Sequence, residues 1–178
     1  MTYTYSISPH DGEISLVLDE YCLIIKKGTK EEIISYANVT SVRMSKSSGH
    51  VFQTHLSADG HGTLVICSHS INGNGAWIEQ SVAYGLFVRV LHHHLKDKSH
   101  SVFTLGGDID RIWKWATFSG VFSFGISLAT NYFGFTLMNP YVQGLIFAVL
   151  VTAMMVIINL KKMPKSYHPT DIPLHFLP

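Results

Sequence analysis

Over the first 70 residues apolar and polar positions alternate in short runs, broken at intervals by Gly, Asn, Asp and Ser. The pattern predicts strands over 3–8, 13–18, 21–27, 31–36, 39–45, 50–57 and 62–69. Alternation is clearest in Ile14-Ser15-Leu16-Val17-Leu18 and Val42-Arg43-Met44-Ser45, where one face should meet a core and the other water. The separators Asp19-Glu20, Gly28-Thr29-Lys30, Ser47-Ser48-Gly49, Asp59-Gly60-His61-Gly62 and Asn72-Gly73-Asn74-Gly75 have turn chemistry. Spacing this close implies antiparallel hairpins, because parallel strands need long crossovers. After Gly75 the period changes to that of an amphipathic helix over 76–96, with Ala83, Phe87, Val90, Leu91 and Leu95 on one face and Trp77 and Tyr84 beside them. From 112 to 160 the only charged side chain is Lys114. This run breaks near Met138-Asn139-Pro140 into two apolar segments, each about long enough for the ~30 Å hydrocarbon layer of a bilayer.

These patterns divide the chain into a soluble domain (1–100), a linker (101–112), a two-helix transmembrane hairpin (113–160) and a proline-containing tail (161–178). Residues 1–18 carry neither a basic n-region nor a continuous apolar core, so no signal peptide is read and the soluble domain is expected to stay where it is made. Lys96, Lys98, Arg111 and Lys114 precede the first apolar segment, Lys161, Lys162 and Lys165 follow the second, and 131–141 between them has no charge. By the positive-inside rule this predicts two spans with both termini cytoplasmic, in a bacterial inner membrane. Trp113, Trp115, Tyr132 and Tyr141 lie near the segment ends, where aromatic belts form.

Composition narrows the function classes. Charged residues are 14% of 178 and the net charge is +1, which disfavours nucleic acid as a partner. Cys22 and Cys67 have no metal-type spacing and read as buried, reduced thiols. No G-x-S-x-G, H-E-x-x-H or phosphate-binding G-x-x-x-x-G-K-[ST] pattern occurs, so the chain reads as non-enzymatic and without a cofactor.

Seven strands followed by one long helix is the element order of a pleckstrin-homology (PH) fold. The run Ile34-Ser35-Tyr36-Ala37-Asn38-Val39-Thr40-Ser41-Val42-Arg43 resembles the strand-turn-strand of bacterial PH-like domains. A group of small proteobacterial inner-membrane proteins is similar in Ala83-Tyr84, in Phe87-Val88-Arg89 and in a tail of the form Tyr167-x-Pro169-x-x-Ile172-Pro173-x-x-x-Leu177-Pro178. The resemblance implies an α+β fold: a PH-like seven-stranded antiparallel barrel with a C-terminal amphipathic helix, followed by an all-α transmembrane hairpin. It brings no activity with it.

Four sets of residues are candidates for binding. Ile78, Val82 and Leu86 form a second apolar stripe at i, i+4 and i+8 among Arg89, His93 and Lys96, covered by the linker or open to a partner. Ser119, Ser123 and Ser127 in the first apolar segment, with Gly120 beside them and Asn131 continuing the row, and Gly144, Ala148 and Thr152 in the second make small-residue stripes that let helices approach closely. They serve each other, another subunit or a second copy, with hydroxyl bonds across the contact worth about 0.6–2 kcal/mol. Lys26, Lys27 and Lys30 flank a hairpin where lipid-binding PH domains carry basic residues, and read as a solvated turn or a headgroup contact. Ile172, Phe176 and Leu177, with Leu174, make the proline-spaced tail apolar enough to pack on its own domain or a neighbour. Among the 11 histidines, the consecutive His92, His93 and His94 cannot share one ion on a helix, whereas His55, His61 and His69 could converge.

The expected function is therefore a membrane-anchored binding or assembly module. Alternatives are an accessory subunit of a larger respiratory or envelope complex, or an anionic-lipid sensor. Expected partners are membrane lipids and another membrane protein or a second copy.

Overall fold

The computed structural model describes residues 1–8, 12–46, 51–107, 109–132, 139–159, 164–173 and 176–178. Ser47 to Gly49 of one expected turn, Met138, Lys161, Lys162 and Leu174 lie outside the described residues, as do the side chains of Arg111, Asn131 and Tyr132. The chain forms two compact units, Met1–Gly106 with Lys165–Pro178, and Gly107–Pro164.

In the first unit, β1 (Thr2–Tyr5), β2 (Ile14–Leu18), β3 (Cys22–Lys27) and β4 (Lys30–Ser35) form an antiparallel sheet in sequence order. Period-2 alternation sends Ile14, Leu16 and Leu18 inward, with Leu16 opposite Ile25 and Leu18 opposite Leu23. Gly28 turns β3 into β4 at φ 60, a left-handed conformation that glycine adopts without penalty. A single helical turn over Tyr36–Asn38 leads to β5 (Val39–Lys46), β6 (Phe52–Ala58) and β7 (Leu64–Cys67). Two later strands, β10 (Val102–Leu105) and β11 (Lys165–Ser166), complete a second sheet in the order β11-β10-β5-β6-β7. Between them in sequence come the hairpin β8 (His69–Ile71) and β9 (Trp77–Glu79) and the 18-residue helix α1 (Ser81–Lys98).

This architecture overturns the expected PH-like seven-stranded antiparallel barrel. The described residues form eleven strands in three separate sheets, with no closed barrel and one parallel pair, β5 with β10. Three local causes account for the difference. Ser68 ends β7, its Oγ accepting from the Phe52 amide while its own amide donates to the Phe52 carbonyl, so the strand expected over 62–69 divides. Asn72 Oδ1 accepts from the amides of Asn74 (3.0 Å) and Ala76 (2.8 Å), which folds 69–79 into a hairpin and delays the helix to Ser81. Where β1 meets β7, phenols replace strand pairing: Tyr3 Oη donates to the Cys67 carbonyl (2.5 Å) and Tyr5 Oη to the Val65 carbonyl (2.6 Å).

The core lies between the two sheets and the inner face of α1, made by Tyr84, Phe87, Val88, Leu91, His92 and Leu95. Ala83, expected on that face, is exposed, and Val90 is only partly buried. Residues 101–112, expected to be a linker, include β10, whose Phe103 and Leu105 are buried. The tail belongs to the same unit: β11 pairs with β10, and Leu177 is buried in the core.

The second unit contains α2 (Ile109–Tyr132) and α3 (Pro140–Asn159). Among the described residues only α3, over Tyr141–Ile158, is long and apolar enough to cross a membrane, which corrects the expected all-α transmembrane hairpin. Lys114 and the recurring Ser and Thr residues dilute the hydrophobicity of α2. The helices pack antiparallel, Gly120 against Thr152 and Gly144 against Phe124 and Ser127. A methyl group on Gly120 would collide with Thr152 Oγ1, so this crossing depends on the missing side chain. Gly120→Ala is expected to cost about 1–3 kcal/mol, read as a lower melting temperature of the full-length protein in mild detergent. Thr152→Ala in the same chain should restore most of the loss; an unchanged melting temperature for Gly120→Ala would refute the close contact.

Candidate interaction surfaces

Helix α1 carries two faces because its apolar positions exceed one stripe. Val82 (79% exposed) and Leu86 lie on the outer face, where Arg89, His93 and Lys96 follow at alternating spacings of three and four, all exposed. Ile78, expected on the same helix, sits instead on β9 beside Trp77, and both are exposed. No described residue covers Val82 or Leu86. Thr2, Thr4, Gln80 and Val82 line a shallow cavity of about 570 Å³ at the start of α1, and the side-chain oxygen of Gln80 is buried without a hydrogen-bond partner among the described residues.

Lys26, Lys27 and Lys30 do come together around an open cavity of about 710 Å³ that also includes Glu13, Gly28 and Thr29. Lys27 stands opposite Lys30 in the ladder, and Lys26 Nζ lies 3.8 Å from Glu31. Three cations facing two carboxylates leave only a small positive excess, and both members of the Lys26–Glu31 pair are half-exposed, where such pairs contribute little.

The small residues of α2 and α3 face each other. Gly120, Ser123, Ser127 and Gly144 are buried, and Ala148 and Thr152 partly so. The serine hydroxyls follow a different course from the cross-helix bonds expected. Ser119 Oγ donates to the Ala116 carbonyl (2.9 Å) and Ser123 Oγ to the Ser119 carbonyl (2.7 Å), so each is satisfied within its own helix. The outward faces are apolar, with Trp115, Phe118 and Phe122 in successive ring contact on α2 and Leu145, Val149 and Leu150 on α3.

The tail packs on its own unit, one of the two alternatives its apolar residues allowed. Leu177 is buried, and Ile172 and Phe176 pack half-buried against the core. Tyr167 donates its amide to the Phe103 carbonyl (3.2 Å), and its hydroxyl meets His92 Nε2 at 2.6 Å. His92 Nδ1 lies 2.7 Å from the Val88 carbonyl. Burial lowers the His92 pKa to about 4, with the Val88 carbonyl opposing part of that effect. The neighbouring histidines diverge: His93 is exposed and His94 stacks on Tyr36, its pKa lowered by burial and then by Lys98. Position 92 follows Val88 by four and precedes Leu95 by three, a spacing that marks it as inward-facing; its tyrosine partner, 75 residues away, has no sequence signal.

His61 bonds Glu32 (2.5 Å) and His69 bonds Ser68 (3.0 Å), while His55 lies on β6 between Arg43 and Val65. No three His, Cys, Asp or Glu side chains among the described residues are grouped to hold a metal ion. Cys67 is buried and Cys22 partly exposed, both as free thiols, and burial raises the Cys67 pKa.

No family model matches this chain, and no curated protein does. Val82→Asp should leave the melting temperature nearly unchanged, within about 0.5 kcal/mol, because the side chain is already in solvent. Leu177→Ala should lower it by an amount equivalent to about 2 kcal/mol. Thermal unfolding of the two full-length variants side by side checks both, and equal effects would show that exposure does not distinguish these sites.

Proposed function

We propose that this protein is a non-catalytic binding and assembly module held at the cytoplasmic face of a bacterial inner membrane, crossing it twice with both termini inside. The observation that carries the reading is a pair of ladder contacts next to a helix able to span a bilayer. Leu105 pairs with Lys165 and Thr104 with Ser166, so the chain leaves the first unit and returns to it at neighbouring positions. Paired strands lie about 5 Å apart. If α3 crosses the bilayer, a chain pinned in this way has to cross back, and α2, with 24 residues or about 36 Å of helix, is the segment available. Lys and Arg flank the two apolar segments and are absent from 131–141, which supports the orientation.

The surfaces left uncovered support binding as the role. Val82 and Leu86 on α1, and Trp77 and Ile78 on β9, are exposed apolar side chains on the soluble unit. Their chemistry suits another membrane protein or a second copy, as an accessory subunit would need. The near balance of charge around Lys26, Lys27 and Lys30 gives less support to lipid sensing.

Single cysteines introduced at Asn139 and Thr29, with Cys22 and Cys67 replaced by Ala, should react with a membrane-impermeant thiol reagent from opposite sides of intact inner membranes. Reactivity from the same side would exclude the double crossing. Purification of the tagged protein in mild detergent should yield a stoichiometric complex that Val82→Asp dissociates; a lone monomer at every concentration would remove the assembly role.

A further inference from the structure

The last segment is held on the first unit by the burial of Leu177, by Tyr167, Ile172 and Phe176 packed against the core and by the two-pair β11 ladder, and one of its contacts can titrate. A carbonyl oxygen only accepts, so the 2.7 Å contact with Val88 places the proton of the neutral His92 ring on Nδ1. Nε2 is then an acceptor, and the Tyr167 hydroxyl donates to it at 2.6 Å. Phe103 of β10 stands against both rings, at 5.3 Å from His92 and 5.8 Å from Tyr167, and His92 is only 1% exposed. Beyond this cluster the β11 ladder has just two residue pairs. Seven residues back along α1, about 10 Å, Gly85 faces the ring of Pro178, which a methyl group there would touch at 3.9 Å. The described residues of the segment thus lie on α1 and along the edge of β10, with the Tyr167–His92 bond at one end, Leu177 at the other and Ile172 and Phe176 packed against the core between them.

We propose that Lys165–Pro178 is a releasable strap, seated on α1 and β10 while His92 is neutral and freed when His92 takes up a proton. Protonation makes both ring nitrogens donors, so the Tyr167 oxygen can only accept from Nε2, its hydroxyl hydrogen loses its acceptor, and a charge is placed in an apolar cluster. The titratable or charged groups around that ring offer it no compensation. On its own helix Arg89 and Lys96 are cationic and exposed; β10 presents Phe103; the strap presents the phenol of Tyr167, with the phenol of Tyr84 beyond it. Asp97 and Asp171 are exposed. With the strap seated, His92 titrates near 4, whereas a solvated histidine titrates near 6.5. Between these values the released form binds the proton and the seated form does not. While the released fraction is small it therefore rises by up to about tenfold for each unit of acidification between these values. Release uncovers the edge of β10 and the Gly85 to His92 face of α1.

Hydrogen exchange of the full-length protein in lipid nanodiscs tests this, with rates corrected for the intrinsic pH dependence of amide exchange. Protection within Lys165–Pro178 should fall by up to about tenfold per unit between pH 6.5 and 4.5 while the amides of Phe87 to Leu91 stay protected. His92→Gln keeps an acceptor for Tyr167 but cannot titrate in this range, and its strap should show no such slope. Tyr167→Phe should reduce strap protection at every pH. If His92→Gln unfolds, shown by lost protection in α1, the wild-type profile decides alone. A flat wild-type profile, a slope that persists in a folded His92→Gln, or loss of α1 protection in step with the strap would overturn the proposal.

Discussion

Pairing of Leu105 with Lys165 and of Thr104 with Ser166 is the constraint that brings the end of the chain back to the unit it left. It makes the first unit discontinuous: the chain completes two sheets and a helix, departs through α2 and α3, and comes back to finish the edge of the sheet it left. A long insertion between adjacent strand ends is thermodynamically tolerable because closure entropy grows only with the logarithm of loop length. The helix pair has its own contact surface, where Gly120 and Gly144 allow side chains of the facing helix to approach, so each unit has its own packed interior.

Buried phenols contribute both apolar area and hydrogen bonds to the core that the two sheets share. Tyr3, Tyr5, Tyr36, Tyr84 and Tyr167 each bring a large apolar ring inward and end in a hydrogen bond, to the carbonyls of Cys67, Val65 and Asp19, to Thr54 and to His92. Burial raises the pKa of all five further above the physiological range. Tyr3 also packs its ring against Tyr5 and Phe87, so a single side chain joins β1, the end of β7 and α1. At that seam hydroxyl-to-carbonyl bonds link β1 to β7 while the two sheets stay separate.

Local patterns were legible and long-range ones were not. Alternation located β2, β3 and β5 because their inward residues contrast with polar neighbours, and the position of Pro140 separated the two helices. β10 is a four-residue run after a helix, too short to stand out, and its parallel partner β5 lies some 60 residues earlier. The helix start was read early because Ile78 falls on the helical period by coincidence, while the bonds of Asn72 that make it a strand residue depend on three-dimensional geometry. Among the candidate surfaces, the lysines of one hairpin gather because they are neighbours in sequence. The contact of His92 with Tyr167 requires a fold in which residue 167 returns to a helix made 75 residues before, and no periodicity encodes that.

The discontinuity also sets an order of events during synthesis. Residues 1–106 leave the ribosome well before Lys165–Pro178, and at 5–20 residues per second the 58 intervening residues (107 through 164) take roughly 3–12 s. Through that interval the nascent first unit has an unpaired β10 edge and an open place for Leu177, while the most apolar part of the chain is still being made. That unfinished surface stays open to aggregation for seconds, and only after the helix pair has been synthesised does the unit that preceded it become complete.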